Sequence, residues 1–295
     1  MITSSNKSTV PIIAVVGFTA SGKSTLGMQL AKRFNGEIIA ADAMTVYRNF
    51  DIGTAKPTQK EQSEIQHHLL DIINASSKFS AAEFKQRAEE AIEDIASRGK
   101  IPILVGGSGL YIDSILYDYD FRAPPPNTRI RLELNTKTLD ELVAIAGSKG
   151  LSIENIDIHN KRRLIRLIES EGSIPVQRPL RQNVLVLGIN MPKETLRKRV
   201  EARVSAMLAQ GLEDEVRHLS RQYGWRVEPM RSIGYREWQG YFAGSQTLDD
   251  VKKAIITHTM QLAKKQRTWF KRNTSIEWVN NFNESVEYTT TFLNK

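Results

Sequence analysis

The sequence has 295 residues, 40% hydrophobic and 25% charged, with no cysteine and a formal net charge of +8. That length buries a sizeable core in one large domain or two unequal ones. The missing cysteine excludes disulfides and cysteine-ligated zinc. No apolar stretch approaches the length that spans a bilayer, so a soluble cytoplasmic protein without membrane contact is expected.

The opening "MITSSNKSTVPIIAVVG" runs straight into a glycine loop. It therefore reads as a buried first strand and not as a signal peptide. In the loop "GFTASGKST", Gly17, Gly22, Lys23 and Ser24 fit G-x-x-x-x-G-K-[ST], with a strand before and a helix, "STLGMQLAKRF", after. Glycines let backbone N–H groups turn inward around a phosphate, and the helix N-terminus adds partial positive charge. Lys23 brings a full charge and the Ser24 hydroxyl can reach magnesium. The motif specifies a phosphate or pyrophosphate; it does not specify ATP. An ordinary glycine-rich turn would not need the lysine.

"GEIIAAD" is a further strand and ends at Asp42. In an open α/β sheet, ligands lie beyond the C-terminal ends of the strands, so Asp42 is expected to share the crevice with the loop. There a carboxylate can hold magnesium through water, take a proton from a nucleophile, or simply cap the next turn. Lys56, in "GTAKP", has the look of a surface lysine. His67 and His68 are adjacent, so a helix or strand points them apart, and no histidine spacing here suits a metal. "SAAEFKQRAEEAIEDIASRG" reads as a helix closed by Gly99. The strand "IPILVGG" follows. Then comes "GGSGLY", a second strand–glycine–helix junction, where Ser108 caps the helix or aims its hydroxyl into the crevice.

Three prolines at 124–126 in "FRAPPPNTR" break the pattern. Residues 121–182 read as a helical insertion, and "NVLVLGIN" returns to a buried strand. The class expected is α/β: a parallel-sheet core of residues 1–120 and 183–295, mostly helical after Asn190, interrupted by the small insertion. In "KRRLIRLIE", Arg162, Arg163 and Arg166 gather opposite Leu164, Leu167 and Ile168. In "ETLRKRVEARVSAML", Arg203 falls about 20° beyond Leu196 at the edge of the apolar stripe. A charge placed there needs an anion or a structural carboxylate. Residues 161–203 hold 11 Lys/Arg against 4 Asp/Glu, and 252–272 hold 7 Lys/Arg and no acid. Two such basic segments suit a polyanion, nucleic acid first, although charge runs are often plain solvated faces. In "AKKQRTWFKR", Trp269 and Phe270 stand among the basic residues, as bases-stacking groups or as core.

These stretches together resemble the tRNA dimethylallyltransferase, or isopentenyl-tRNA transferase, family. The carriers are "GFTASGKST", "DAMTVYRNFDIGTAKP", "HHLLD", "FSAAEF", "GGSGLY", "RRLIRLIE", "RVEARVSAML", "RSIGYRE" and "AKKQRTWFKR", in the family's order over roughly residues 12–272. The resemblance implies a kinase-like P-loop core with a helical insertion. It also implies transfer of a dimethylallyl group from dimethylallyl diphosphate to the exocyclic amine of the adenine 3′ of the anticodon in tRNA, releasing pyrophosphate. By motif match, Asp42, Ser108 and Arg203 are catalytic. Gly17, Phe18, Thr19, Ala20, Ser21, Gly22, Lys23 and Ser24 hold the diphosphate, with Mg2+ at Ser24. The tRNA-contacting segments are Asp42, Ala43, Met44 and Thr45; Arg162, Arg163, Leu164, Ile165 and Arg166; and Arg231, Ser232, Ile233, Gly234, Tyr235 and Arg236. No heptad or apolar-patch signal is present, so a monomer is expected.

The sequence departs from the family at Phe18, where proline is usual, and at Ala43, where serine is usual. Ser108 replaces a common threonine, and "IHNKRR" lacks the common proline and aspartate. Three other readings remain: a P-loop kinase acting on ATP, a prenyltransferase for free adenine nucleotides, and a non-enzymatic RNA-binding ATPase. The first leaves the basic segments and "RSIGYRE" without a use, the second the large basic surface, and the third Asp42 and Arg203.

Overall fold

The computed structural model describes residues 10–121, 127–154, 156–173 and 175–295. The triple proline at 124–126 lies outside them. The chain divides into two compact units, one running up to Leu116 and resuming from Arg181 to Lys295, the other Tyr117–Leu180. The second unit starts four residues before, and ends two before, the insertion expected at 121–182.

The first unit begins with β1 (Ile12–Val16), α1 (Lys23–Arg33), β2 (Gly36–Ala41), α2 (Gln59–Glu64) and β3 (His67–His68), then α3 (Ala81–Ser97), β4 (Ile101–Gly106) and α4 (Gly109–Leu116). The second unit holds α5 (Thr128–Asn135), α6 (Leu139–Ser148) and α7 (Lys161–Glu169). The first unit resumes with β5 (Val184–Ile189), α8 (Lys193–Ala209), α9 (Leu212–Tyr223), α10 (Gln239–Phe242), α11 (Leu248–Phe270), β6 (Ile276–Val279) and α12 (Phe282–Leu293).

The six strands form one parallel sheet in the order β3-β2-β4-β1-β5-β6. β1 is central: Ile13 is level with Ile103 on one side and Leu185 on the other. Every residue of β1 is fully buried, as the unbroken apolar run requires in a sheet covered on both faces. The four strands legible in the sequence are all present. The two missed ones are edge strands: β3 is two histidines, and β6 is only four residues long, buried at its two ends and more open between.

On one face, Leu26, Leu30 and Ala31 of α1 pack with Phe282 and Val286 of α12 against β-strand residues such as Val15, Ile38 and Leu187. A second cluster joins α8, α9 and α11 through Leu196, Val200, Val204, Val216 and Ile255. α3 begins with a capping box between Ser80 and Glu83 and ends at Gly99 with φ +70°, as its sequence implies. In the second unit, Leu142, Leu164, Ile165 and Ile168 form the core. Glu169 is buried there and accepts from Arg131, Arg166 and the Asn127 N–H. Burial pushes its carboxyl pKa up, but those donors outweigh the burial and hold it below the ordinary value.

Lys56 corrects the surface reading. Its side chain is 3% exposed, and its ammonium lies 2.5 Å from Asp51 and 2.6 Å from Asp71 while donating to the Tyr47 carbonyl. It folds "DIGTAKP" back on itself. Glu215 of α9 secures the same loop: it accepts from the N–H groups of Asp51, Ile52 and Gly53 and from the Tyr235 hydroxyl.

α11 is clasped to α4 by its aromatic end. Trp269 donates to Asp113 at 2.8 Å, and its indole lies over Gly109, where a Cβ would come within 2.4 Å. Phe270 is core. Burial raises the Asp113 carboxyl to about 6, partly opposed by the Trp269 bond. A raised native pKa means that the folded protein holds this proton more tightly than the unfolded chain. The site therefore loses stability as pH rises from 3.8 through about 6. Asp113→Asn, which can still accept from Trp269, is expected to be more stable than the parent at about pH 8. That advantage should vanish as pH falls toward 3.8. Paired denaturant titrations at the two pH extremes measure it.

Candidate active site

β1, β2 and β4 end at one edge of the sheet, where one crevice opens. It is lined by Thr19, Lys23 and Ser24 after β1, Asp42 and Thr45 after β2, Val105 and Gly106 at the end of β4, and Arg203 from α8. Gly22 starts α1 at φ +97°, and no side chain caps the helix, so its leading N–H groups are left open toward the loop. Ser21 is 2% exposed, and its hydroxyl has no partner among the described residues. A buried hydroxyl without a described partner beside an uncapped helix start suits an anion.

Lys23 and Arg203 supply the charge. Neither forms an ion pair with a described residue; Arg203 reaches only the Thr19 hydroxyl, at 3.4 Å. Glu201, a neighbour on the same helix, pairs with Arg197 instead. Desolvation lowers Lys23 to about 8; the Asp42 charge opposes this and Arg203 adds to it. Desolvation also lowers Arg203, with Asp42 again opposing.

Asp42 caps the turn, as its simpler reading had it: one oxygen accepts the Met44 N–H at 2.9 Å. The other has no partner among the described residues, and Asp42 lines the crevice. Ser108 does not cap α4 through its hydroxyl. The hydroxyl accepts the Ala43 N–H at 3.0 Å and so fixes the Asp42 turn from across the sheet edge. The serine that the family has at position 43 is thus replaced by a residue held through its backbone. Phe18, the other departure, is 2% exposed and joins the helical core instead of facing the crevice. The crevice continues into an apolar end formed by Ile38, Ala40, Leu70 and Val105, with His67 beside them. The His67 Nδ1 lies 2.8 Å from the Ile65 carbonyl, and burial lowers its pKa. His68, on the other face of β3, binds Glu37. Among the described residues, no group of three His, Asp or Glu side chains forms a metal site.

The remaining sequence candidates are sorted by burial. Arg162, Arg163, Arg231 and Arg236 are exposed, while Leu164, Ile165, Gly234 and Tyr235 are buried. Arg166 and Arg236 are spent on Glu169 and Glu237. Sequence reasoning missed two residues: Arg199, which donates to the Ser21 carbonyl, and Gln266, which bonds both glycine loops. Gln266 lay inside "AKKQRTWFKR" but was hidden by the charges around it.

A parallel sheet with an uncapped glycine loop at a central strand, and two cations that pair with no described carboxylate beside it, defines an α/β protein with a P-loop-like core. The comparisons narrow this. The family model described as IPP transferase matches residues 45–273. The tRNA dimethylallyltransferase of Anoxybacillus flavithermus is 40% identical over 285 residues, covering 93% of this chain and 92% of that one. Among solved structures, the Staphylococcus epidermidis tRNA delta(2)-isopentenylpyrophosphate transferase is 37% identical, with a TM-score of 0.72, covering 96% and 99% of the two chains. A eukaryotic dimethylallyltransferase crystallised acting on tRNA has a TM-score of 0.79 at 26% identity, covering 92% of this chain and 74% of that one. This chain belongs to the tRNA dimethylallyltransferase family, and with it to the prenyl-transferring enzymes. The kinase and non-enzymatic readings are not favoured by these relatives.

Lys23 sets a pH limit on the loop. Above about 8 the free protein loses the ammonium that an anion would meet. Binding of inorganic pyrophosphate, followed by calorimetry, is expected to weaken as pH rises through that value. Lys23→Arg, which stays charged, should lack this break.

Proposed function

We propose that this chain transfers a dimethylallyl group from dimethylallyl diphosphate to the exocyclic amine of the adenine 3′ of the anticodon in tRNA. The observation that carries the reading is the crevice itself: two cations without carboxylate partners, a carboxylate with one oxygen to spare, and an adjoining apolar end. The diphosphate lies on the loop N–H groups, Lys23 and Arg203. The five-carbon tail suits the apolar end, where Ile38, Leu70 and Val105 exclude water.

The amine nitrogen attacks the prenyl carbon that bears oxygen. The new C–N bond forms as the C–O bond breaks, and the electron pair leaves with pyrophosphate. Charge growing on that leaving group is met by Lys23, Arg203 and the N-terminus of α1, in a site that needs little reorganisation. The spare Asp42 oxygen takes the amine proton, and Ser108 holds the turn that presents it. The Ser24 hydroxyl, together with substrate phosphates, would hold magnesium without a protein cluster. Bound there, it would neutralise diphosphate charge.

The adenine must leave its stack to reach the crevice, at a cost of a few kcal/mol. Phosphate contacts elsewhere on the RNA offset that. Lys264, Lys265 and Lys271 on and just after α11 are exposed, and so are Arg162 and Arg163 in the second unit. None of these five makes an ion pair with a described residue, so all are free to meet the anticodon arm. We place the protein, as a monomer, in the cytoplasm, because the proposed substrate is tRNA. Among the described residues no helix is long and apolar enough to cross a membrane.

Asp42→Asn keeps the Met44 cap and loses basicity. Single-turnover transfer is expected to fall about 10²–10⁴-fold, with tRNA and diphosphate affinities nearly unchanged. A retained rate excludes Asp42 as the base, and rescue by excess magnesium moves it to the metal. Affinity for tRNA is expected to fall steeply with salt, each phosphate contact adding about −0.7 to −0.9 to the log–log slope. Filter binding across a salt series measures it.

A further inference from the structure

Gln266 stands on α11, opposite the loops that carry the chemistry. Its Oε1 accepts the Thr19 N–H at 2.8 Å, and its Nε2 donates to the Gly107 carbonyl at 2.9 Å. The seat is tight: a Cβ at Gly107 would come within 2.5 Å of Nε2. The two partners have opposite polarity, so only a group that both accepts and donates satisfies them together. The amide does; a carboxylate, an ammonium or an apolar side chain does not.

Both partners belong to functional loops. Thr19 lies in the phosphate loop and offers its hydroxyl to Arg203. Gly107 precedes Ser108, whose hydroxyl fixes Ala43 beside Asp42. One side chain thus joins the diphosphate cradle to the turn that aligns the general base. It also draws the Thr19 N–H away from the anion, leaving the phosphate to the N–H groups at the start of α1. Gln266 is neither a lining residue of the crevice nor a partner of the cations in it.

We infer that Gln266 is a positioning residue that sets the distance between the phosphate loop and the Ser108–Asp42 turn through its side-chain amide. The inference rests on the diphosphate reading of the loop. A small shift between two reacting groups is costly when both are rigidly held, so loosening this tie acts on substrate placement before it acts on folding.

The test compares the full-length protein with Gln266→Met, Gln266→Glu and Lys23→Ala, by steady-state kinetics with dimethylallyl diphosphate and unmodified tRNA. Gln266→Met keeps the length and loses both bonds. It is expected to raise KM for the diphosphate about tenfold, with tRNA affinity and melting temperature nearly unchanged. Gln266→Glu still accepts from Thr19 but meets Gly107 without a proton at neutral pH. Its defect is expected to shrink relative to the parent as pH falls toward about 5, where a protonated carboxyl regains the donor. Gln266→Met should show no such recovery. An unchanged diphosphate KM in Gln266→Met, while Lys23→Ala raises it, overturns the inference and leaves the site reading standing. An unchanged KM in both overturns the two together. Equal losses of diphosphate and tRNA binding with a lowered melting temperature, and no acid recovery in Gln266→Glu, reduce Gln266 to a packing residue and overturn the inference.

Discussion

The rest of the structure is organised around two positive charges that, among the described residues, have no carboxylate partner, at the open end of a parallel sheet. Lys23 and Arg203 come from different helices, α1 and α8, yet face one crevice together with the N-terminus of α1. Bringing like charges together and desolvating them is unfavourable, and the lowered Lys23 pKa records that cost. Asp42 offsets part of it at a distance. On the proposed function, an arriving diphosphate would remove the remainder, and the strain of the free site would become affinity for the anion.

Cations elsewhere in the chain obey the opposite rule. Lys56 has Asp51 and Asp71, Arg98 has Glu37, Arg181 has Glu89, and Arg131 has Glu169. Each pair ties backbone segments together, and in each at least one of the two charges is buried: the lysine in the Lys56 pairs, the carboxylates of Glu37 and Glu169, and both partners of Arg181–Glu89. The presence or absence of a carboxylate thus separates lysines and arginines that brace the fold from those left open in the crevice or at the surface. The same division runs through the basic segments: Arg197 and Lys253 are paired along their own helices, whereas Lys264, Lys265 and Lys271 are open to solvent.

The walls of the crevice are held by groups that never enter it. Glu215 fills a row of backbone N–H groups in "DIGT" as an anion would, and Tyr235 reinforces it from "RSIGYRE". Trp238 and Glu237 bond Gly234 in turn. Much of the "RSIGYRE" motif is therefore architecture: Arg231 remains exposed for contact, while Gly234 and Tyr235 shape the loop opposite. A segment matched as substrate-binding can act mainly by fixing the residues that do bind.

The sequence by itself determined the four long strands, the phosphate loop and the family. Those signals are local: a short unbroken apolar run bounded by turn residues fits a strand buried on both faces, and G-x-x-x-x-G-K-S specifies its own turn and helix start. It also placed Asp42 at the crevice, because strand ends in a parallel sheet share one edge. Tertiary structure decided what depended on partners distant in the chain. Lys56 looked exposed until Asp51 and Asp71 closed on it. Ser108 looked like a helix cap until its hydroxyl met the backbone of Ala43, 65 residues away. Gln266 carried no signal at all, since its two partners lie 247 and 159 positions off and a neutral amide among lysines has no pattern to read. Hydrogen-bond complementarity is a property of groups brought together in space, and spacing along the chain does not encode it.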